Sequence, residues 1–118
     1  MNFNVSSFEL LKAVTAVSKA IPAKTALPIL EDFLFELDDK GLRITASDSE
    51  LTLRTVIEPT NIVEPGRMTV PAQHIIELLK ALPDQPLEIR TISDSSFECK
   101  WSSGQSILPF RPADDYPE

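Results

Sequence analysis

The sequence predicts an α+β fold in which two helices pack on antiparallel sheet. Three observations predict it: two segments with apolar residues at helical spacing, several segments that alternate apolar and polar residues, and one order of elements that recurs. A chain of 118 residues has room for one compact domain, 1–118.

The first element is a short strand at Phe3-Asn4-Val5, followed by a helix over 6–21. Leu10, Val14, Val17 and Ile21 share one helical face, flanked by Leu11 and Ala13, while Lys12 and Lys19 project from the other. Ser6 or Ser7 can cap its start, and Pro22 ends it. Strands then follow by period two. Phe33, Phe35 and Leu37 alternate with Leu34, Glu36 and Asp38; Leu42, Ile44 and Ala46 with Arg43, Thr45 and Ser47; Leu51 and Leu53 with Thr52 and Arg54. Met68-Thr69-Val70 is another short strand, and a helix over 71–82 begins on Pro71, whose missing N–H suits a first turn. Ile75, Leu79 and Leu82 form the buried stripe of that helix; Gln73, Glu77 and Lys80 lie opposite, and Pro83 stops it. Leu87 and Ile89 alternate with Glu88 and Arg90, then Phe97, Cys99 and Trp101 with Glu98 and Lys100. Each such strand is expected to have one buried and one wet face. Short polar turns, such as Asp38-Asp39-Lys40-Gly41 and Ser47-Asp48-Ser49-Glu50, make antiparallel meanders the natural pairing.

Written in order, the elements read β-α-β-β-β twice, over 1–65 and 66–118. The helices themselves correspond: Phe8-Glu9-Leu10-Leu11-Lys12-Ala13-Val14 matches Ile76-Glu77-Leu78-Leu79-Lys80-Ala81-Leu82 at Glu, Leu, Leu, Lys and Ala. Units this small cannot each hold a stable core, so they are expected to merge their sheets and bury both helices on one side.

Composition excludes several classes of function. No apolar run approaches the ~20 residues of a membrane helix, and the N-terminus lacks the basic segment of a signal peptide. A single cysteine, Cys99, cannot form an internal disulfide, and a reducing cytoplasm is the expected setting. No catalytic constellation is found: His74 is the only histidine, the three glycines form no phosphate loop, and Cys99 sits on an apolar strand face as a structural thiol. No metal site or cofactor is expected. The acidic pairs Asp48 with Glu50 and Asp114 with Asp115 read as turn and tail residues rather than as metal ligands. The net charge of −7 argues against a protein coated in basic surface, yet its distribution is uneven. Residues 6–24 carry +2, residues 71–82 carry none, and everything else carries −9. This allows an acidic outer sheet and a basic helical face.

A further set of residues resembles one family in order along the whole chain. Phe3-x-Val5, Leu10-Leu11-Lys12, Val17-Ser18, Leu27-Pro28-Ile29-Leu30, Thr45-x-x-Asp48-x-Glu50, Pro65-Gly66, Thr69-Val70-Pro71-Ala72 and Ala113-Asp114-Asp115-Tyr116-Pro117 are similar to the start of the bacterial β sliding clamps. The resemblance implies the DNA-clamp fold, in which about three such domains make a chain and two chains close a ring around duplex DNA. Helices line the hole and sheets form the outer wall. This chain then corresponds to the first domain, a non-catalytic processivity element of DNA polymerase III. The implied partners are double-stranded DNA, the polymerase and clamp loader through the full-length protein, and a second copy in a head-to-tail homodimer. The resemblance places Lys24 where the family has a DNA-touching arginine, Gln73 at an often basic position, and Lys12 and Lys80 at basic positions facing the hole; Lys19, on the same helix as Lys12, is a further candidate phosphate contact. His74, Leu78, Ile107 and Leu108 correspond to the subunit interface. The pocket that grips polymerase peptides belongs to later domains. The residues alone leave two other readings open, a β-rich protein-interaction module without a DNA role and a metal-dependent nuclease or phosphatase built on the acidic pairs.

Overall fold

A computed structural model describes residues 1–22, 28–48 and 50–117. β1 (Asn2–Ser6) runs directly into α1 (Ser7–Val17), and β2 (Asp32–Asp38), β3 (Gly41–Ser47), β4 (Thr52–Ile57) and β5 (Asn61–Glu64) follow. β6 (Gly66–Pro71) then leads into α2 (Ala72–Ala81), and β7 (Pro86–Thr91), β8 (Ser96–Trp101) and β9 (Gly104–Pro109) complete the sheets. Two antiparallel sheets result, with strand orders β5-β1-β7-β8-β9 and β4-β3-β2-β6.

Each half of the chain lends its first strand to the other half's meander. β1 lies on β7, with Phe3 opposite Ile89 and Val5 opposite Leu87. β6 lies on β2, with Phe33 opposite Val70 and Phe35 opposite Met68. Both lending strands pass into a helix without a hairpin, so their partners come from distant sequence, and the two halves share one core. Phe3, Phe33, Phe35 and Phe97 lie fully buried at its centre. α1 contributes Leu10, Val14 and Val17, and α2 contributes Ala72, Ile75 and Leu79.

Local chemistry sets the element ends. The Ser6 hydroxyl accepts from the Glu9 N–H at 3.1 Å and caps α1. The helix stops at Val17 and tightens into a 3₁₀ turn over Ser18–Ala20, where the Ser18 hydroxyl donates to the Thr15 carbonyl. Pro71 is the last residue of β6 and stands just before α2 rather than in its first turn; no side-chain cap is present there. Between β2 and β3, Gly41 adopts φ +148°, and a Cβ there would lie 2.7 Å from the Ile57 carbonyl oxygen, so this turn requires glycine.

Three strand expectations need correction. β5 has no period-two signal: its only apolar residues are Ile62 and Val63, and it forms by pairing with β1, Phe3 opposite Ile62. β2 has no wet face along most of its length. Leu34, on the side opposite Phe33 and Phe35, is buried beneath Ile29, Leu30, Ala113 and Tyr116, supplied by two 3₁₀ turns. Leu51 lies before β4 and is 44% exposed, because the turn it occupies is closed by the Asp48 carboxylate.

Candidate nucleic-acid face and subunit edge

The outward residues of the two helices follow from their buried stripes. With Leu10, Ala13, Val14 and Val17 facing the core, Lys12 is left exposed on α1, and Lys19 is exposed on the 3₁₀ turn beyond it. With Ala72, Ile75 and Leu79 buried, Gln73, His74, Glu77 and Lys80 are exposed on α2. The two helices pack against each other and bury their apolar stripes in one core, so these residues belong to one side of the domain. Lys24 lies outside the described residues.

The lysines and the arginines are handled differently. Among the described residues, no carboxylate lies within 4 Å of Lys12, Lys19 or Lys80, nor of the sheet-side Lys40 and Lys100. Among the same residues, four arginines meet carboxylates, while Arg54 on β4 bonds only the Thr45 hydroxyl. Arg43 and Arg67 flank Glu36 at 3.8 and 3.4 Å, Arg90 meets Glu98 at 3.3 Å, and Arg111 meets the buried Asp32 at 3.8 Å. Gln73 donates to Glu77 at 3.2 Å along one helix flank, so its amide is already partly committed.

His74 and Leu78 share the other flank of α2, one turn apart. His74 borders an open groove of about 530 Å³ with Gln73, Pro71 and Arg111, and a smaller cleft of about 180 Å³ with Pro109 and Phe110. The second cleft joins the start of α2 to the end of β9. Leu78 is half-buried against the core. β9 is an edge strand whose described partner is β8 alone. The structure separates the two residues expected to meet a partner there. Ile107 is 58% exposed, whereas Leu108 is 5% exposed and packs into the core opposite Phe97. Leu108 therefore offers the edge its backbone, not its side chain. The alternation of Gln105 and Ile107 with Ser106 and Leu108 carries this distinction in the sequence.

The groups weighed for catalysis are occupied otherwise. Asp48 accepts from the Glu50 and Leu51 N–H groups at 2.7 and 2.6 Å, and these bonds hold its carboxyl below the usual range. Cys99 is fully buried, and burial, with Glu98 beside it, pushes its thiol up to about 11. Among the described residues no three His, Cys, Asp or Glu side chains are grouped to hold a metal ion. No helix among them is long and apolar enough to cross a membrane. Sequence reasoning passed over Arg43, Arg54 and Arg67, which share one face of the four-stranded sheet; their offsets along three strands gave no signal until the register was known.

The sequence profile described as "DNA polymerase III beta subunit, N-terminal domain" matches residues 1–118. The chain is 27% identical over 117 residues to the beta sliding clamp of Vibrio harveyi, covering 99% of this chain and 81% of that sequence. It is 29% identical over 119 residues to the beta sliding clamp of Pseudomonas aeruginosa, covering 99% of this chain and 32% of that one. The chain thus spans about a third of the Pseudomonas relative's length. Among solved structures, the DNA polymerase III beta subunit of Thermotoga maritima matches at TM-score 0.91 and 32% identity, over 99% of this chain and 32% of that one. The Bacillus subtilis DNA polymerase sliding clamp matches at TM-score 0.94 and 26% identity, over 100% and 33%.

Proposed function

The chain belongs to the family of the DNA polymerase III beta subunit, along that subunit's N-terminal domain, and on this premise we propose that it is the first of about three domains in a sliding clamp. The ring of two such chains encircles duplex DNA and confers processivity on the polymerase. Its role is mechanical rather than catalytic. The observation that carries the reading is the placement of cations: exposed, unopposed Lys12, Lys19 and Lys80 gather on the helical side, while on the sheet side Lys40 and Lys100 stand among an excess of acids and Arg43, Arg67 and Arg90 meet carboxylates.

A lysine ammonium is a hydrated point charge without a preferred fork. It attracts phosphate from many orientations and reads no base, which suits motion along a duplex. In this reading Lys12, Lys19, Lys24 and Lys80 meet phosphates, with Gln73 as a weak polar contact. His74, Leu78, Ile107 and the backbone of Leu108 meet the neighbouring subunit, which joins head to tail. The polymerase and clamp loader act through the full-length protein, in the cytoplasm, and no cofactor is needed.

The test uses a chimera in which this chain replaces the first domain of a full-length relative. Once loaded on nicked circular duplex, the chimera is expected to co-elute with the circle in gel filtration and to be released when the circle is cut. Equal retention on circular and linear DNA would mean binding without encirclement, and no retention on either would remove the proposal.

A further inference from the structure

On the side of the four-stranded sheet away from the helices lies a recess of about 380 Å³, within the range of small-molecule sites, about 300–1,000 Å³. Its floor is Leu34 and the buried ring of Tyr116, and its walls carry Arg43, Arg54 and Arg67. The sheet register brings these arginines together. Arg43 and Arg67 lie on either side of Glu36 in one row across β3, β2 and β6, and Arg54 stands opposite Thr45 in the next row, on β4. Arg43 and Arg54 are therefore diagonal neighbours, about 7–8 Å apart and somewhat closer at Cβ, and both side chains are long enough to reach one point.

From this arrangement we propose that the recess is an anion site for a phosphoryl group, free or carried on a nucleotide. Two of the three guanidiniums share one half-buried carboxylate, Glu36, which lies 3.8 Å from Arg43 and 3.4 Å from Arg67. Those distances leave most guanidinium N–H groups without a close acceptor, and each guanidinium has five such donors. Among the described residues, the one further carboxylate within 4 Å of Arg67 is Asp114, which is 92% exposed and 3.8 Å away. Arg54, among the described residues, spends only its Nε donor, on the Thr45 hydroxyl at 3.1 Å. Thr45 accepts there and keeps its own proton to donate.

Donors thus enter the recess from several directions, which matches a tetrahedral oxyanion better than a planar carboxylate. The apolar floor lowers the local dielectric and strengthens each contact. A duplex is not the ligand that fits. The strands and loops carry −9 in total, so an extended polyanion is repelled where a single phosphoryl group inside the recess is not. The site lies on the opposite side of the sheet from Lys12, Lys19 and Lys80, so it stands or falls independently of the clamp reading.

The test is a titration of the isotopically labelled 118-residue chain with inorganic pyrophosphate, and separately with dATP, at low ionic strength, followed by amide shifts. Saturable shifts confined to residues 43–47, 52–54 and 67 are expected. Tighter binding of dATP at those residues assigns the site to nucleotide-borne phosphate, and equal or tighter pyrophosphate binding assigns it to the free anion. Arg54→Gln is expected to weaken binding by about tenfold or more, since it removes a hydrogen bond to a charged group. Arg43→Gln serves as a second variant, and Lys100→Gln as a control that leaves affinity unchanged. Shifts that do not saturate, shifts centred on Lys12, Lys19 and Lys80, or an Arg54→Gln variant that binds as tightly as the parent would overturn the proposal.

Discussion

Asp32 and Asp48 hold their protons in opposite ways, and the difference makes stability depend on pH. The Asp32 side chain is buried at the start of β2, and burial raises its carboxyl above the ordinary value even though Arg111 pulls it down. A carboxyl raised in the fold stabilises it only while protonated. That contribution is complete below the unfolded value of 3.8 and is lost as pH rises through the folded value. Asp48 is held low by two backbone N–H groups, so its contribution is present at neutral pH and is lost on acidification. Comparing Asp32→Asn with the parent by urea denaturation across pH isolates the first group. The parent is expected to lose ground to the variant as pH climbs from below 4 to neutral; a difference independent of pH would contradict this account. At this scale the sequence was legible where a residue's neighbours in the chain decide its surroundings. Cys99, alternating with Phe97 and Trp101, is the buried thiol that pattern implies. Asp32 was not legible, because Arg111 and Pro71, which enclose it, arrive from far along the chain.

At the scale of elements, β9 shows how one strand separates two roles. Leu108 faces the core and Ile107 faces outward at the free edge of the sheet. A slip of one residue would exchange them. Leu108→Ala is therefore expected to cost about 2–5 kcal/mol, and Ile107→Ala no more than about 0.5 kcal/mol, both read by chemical denaturation. Equal losses would mean that the register opposite β8 is wrong. The helices and most strands were legible because period and caps are local signals. Ser6 caps α1 as its position suggests, and the alternation in β7 and β9 separates the core-facing Leu87, Ile89 and Leu108 from their neighbours, whereas in β3 and β8 the polar Thr45 and Glu98 are buried as well. The exchange of β1 and β6 between the two halves, and the existence of β5, depend on pairing partners distant in sequence. The same holds for the burial of Leu34, since its cover comes from Ile29, Leu30 and the C-terminal turn.

For the molecule as a whole, net charge says less than its placement. A chain of −7 reads as a poor partner for DNA, yet the acids gather on strands and loops while the exposed helical residues include unopposed lysines. The positions of Lys12, Lys19 and Lys80 were legible from helical spacing. That the arginines would be taken up by Glu36, Glu98 and Asp32 was not, because each of those pairs spans two strands or two distant segments. Four lysines set an upper bound of about −3.6 on the salt slope, at about −0.9 per neutralised phosphate. The domain alone is accordingly expected to hold duplex weakly, with retention coming from ring closure. The central claim, that the helical side faces DNA, is tested most directly by charge reversal in the full-length chimera. Lys12→Glu with Lys80→Glu is compared with Lys100→Glu, an exposed position on β8, by the lifetime on circular DNA as salt is raised. The account predicts that the helical pair shortens that lifetime by about tenfold or more while Lys100→Glu leaves it unchanged; equal lifetimes for the two variants would contradict it.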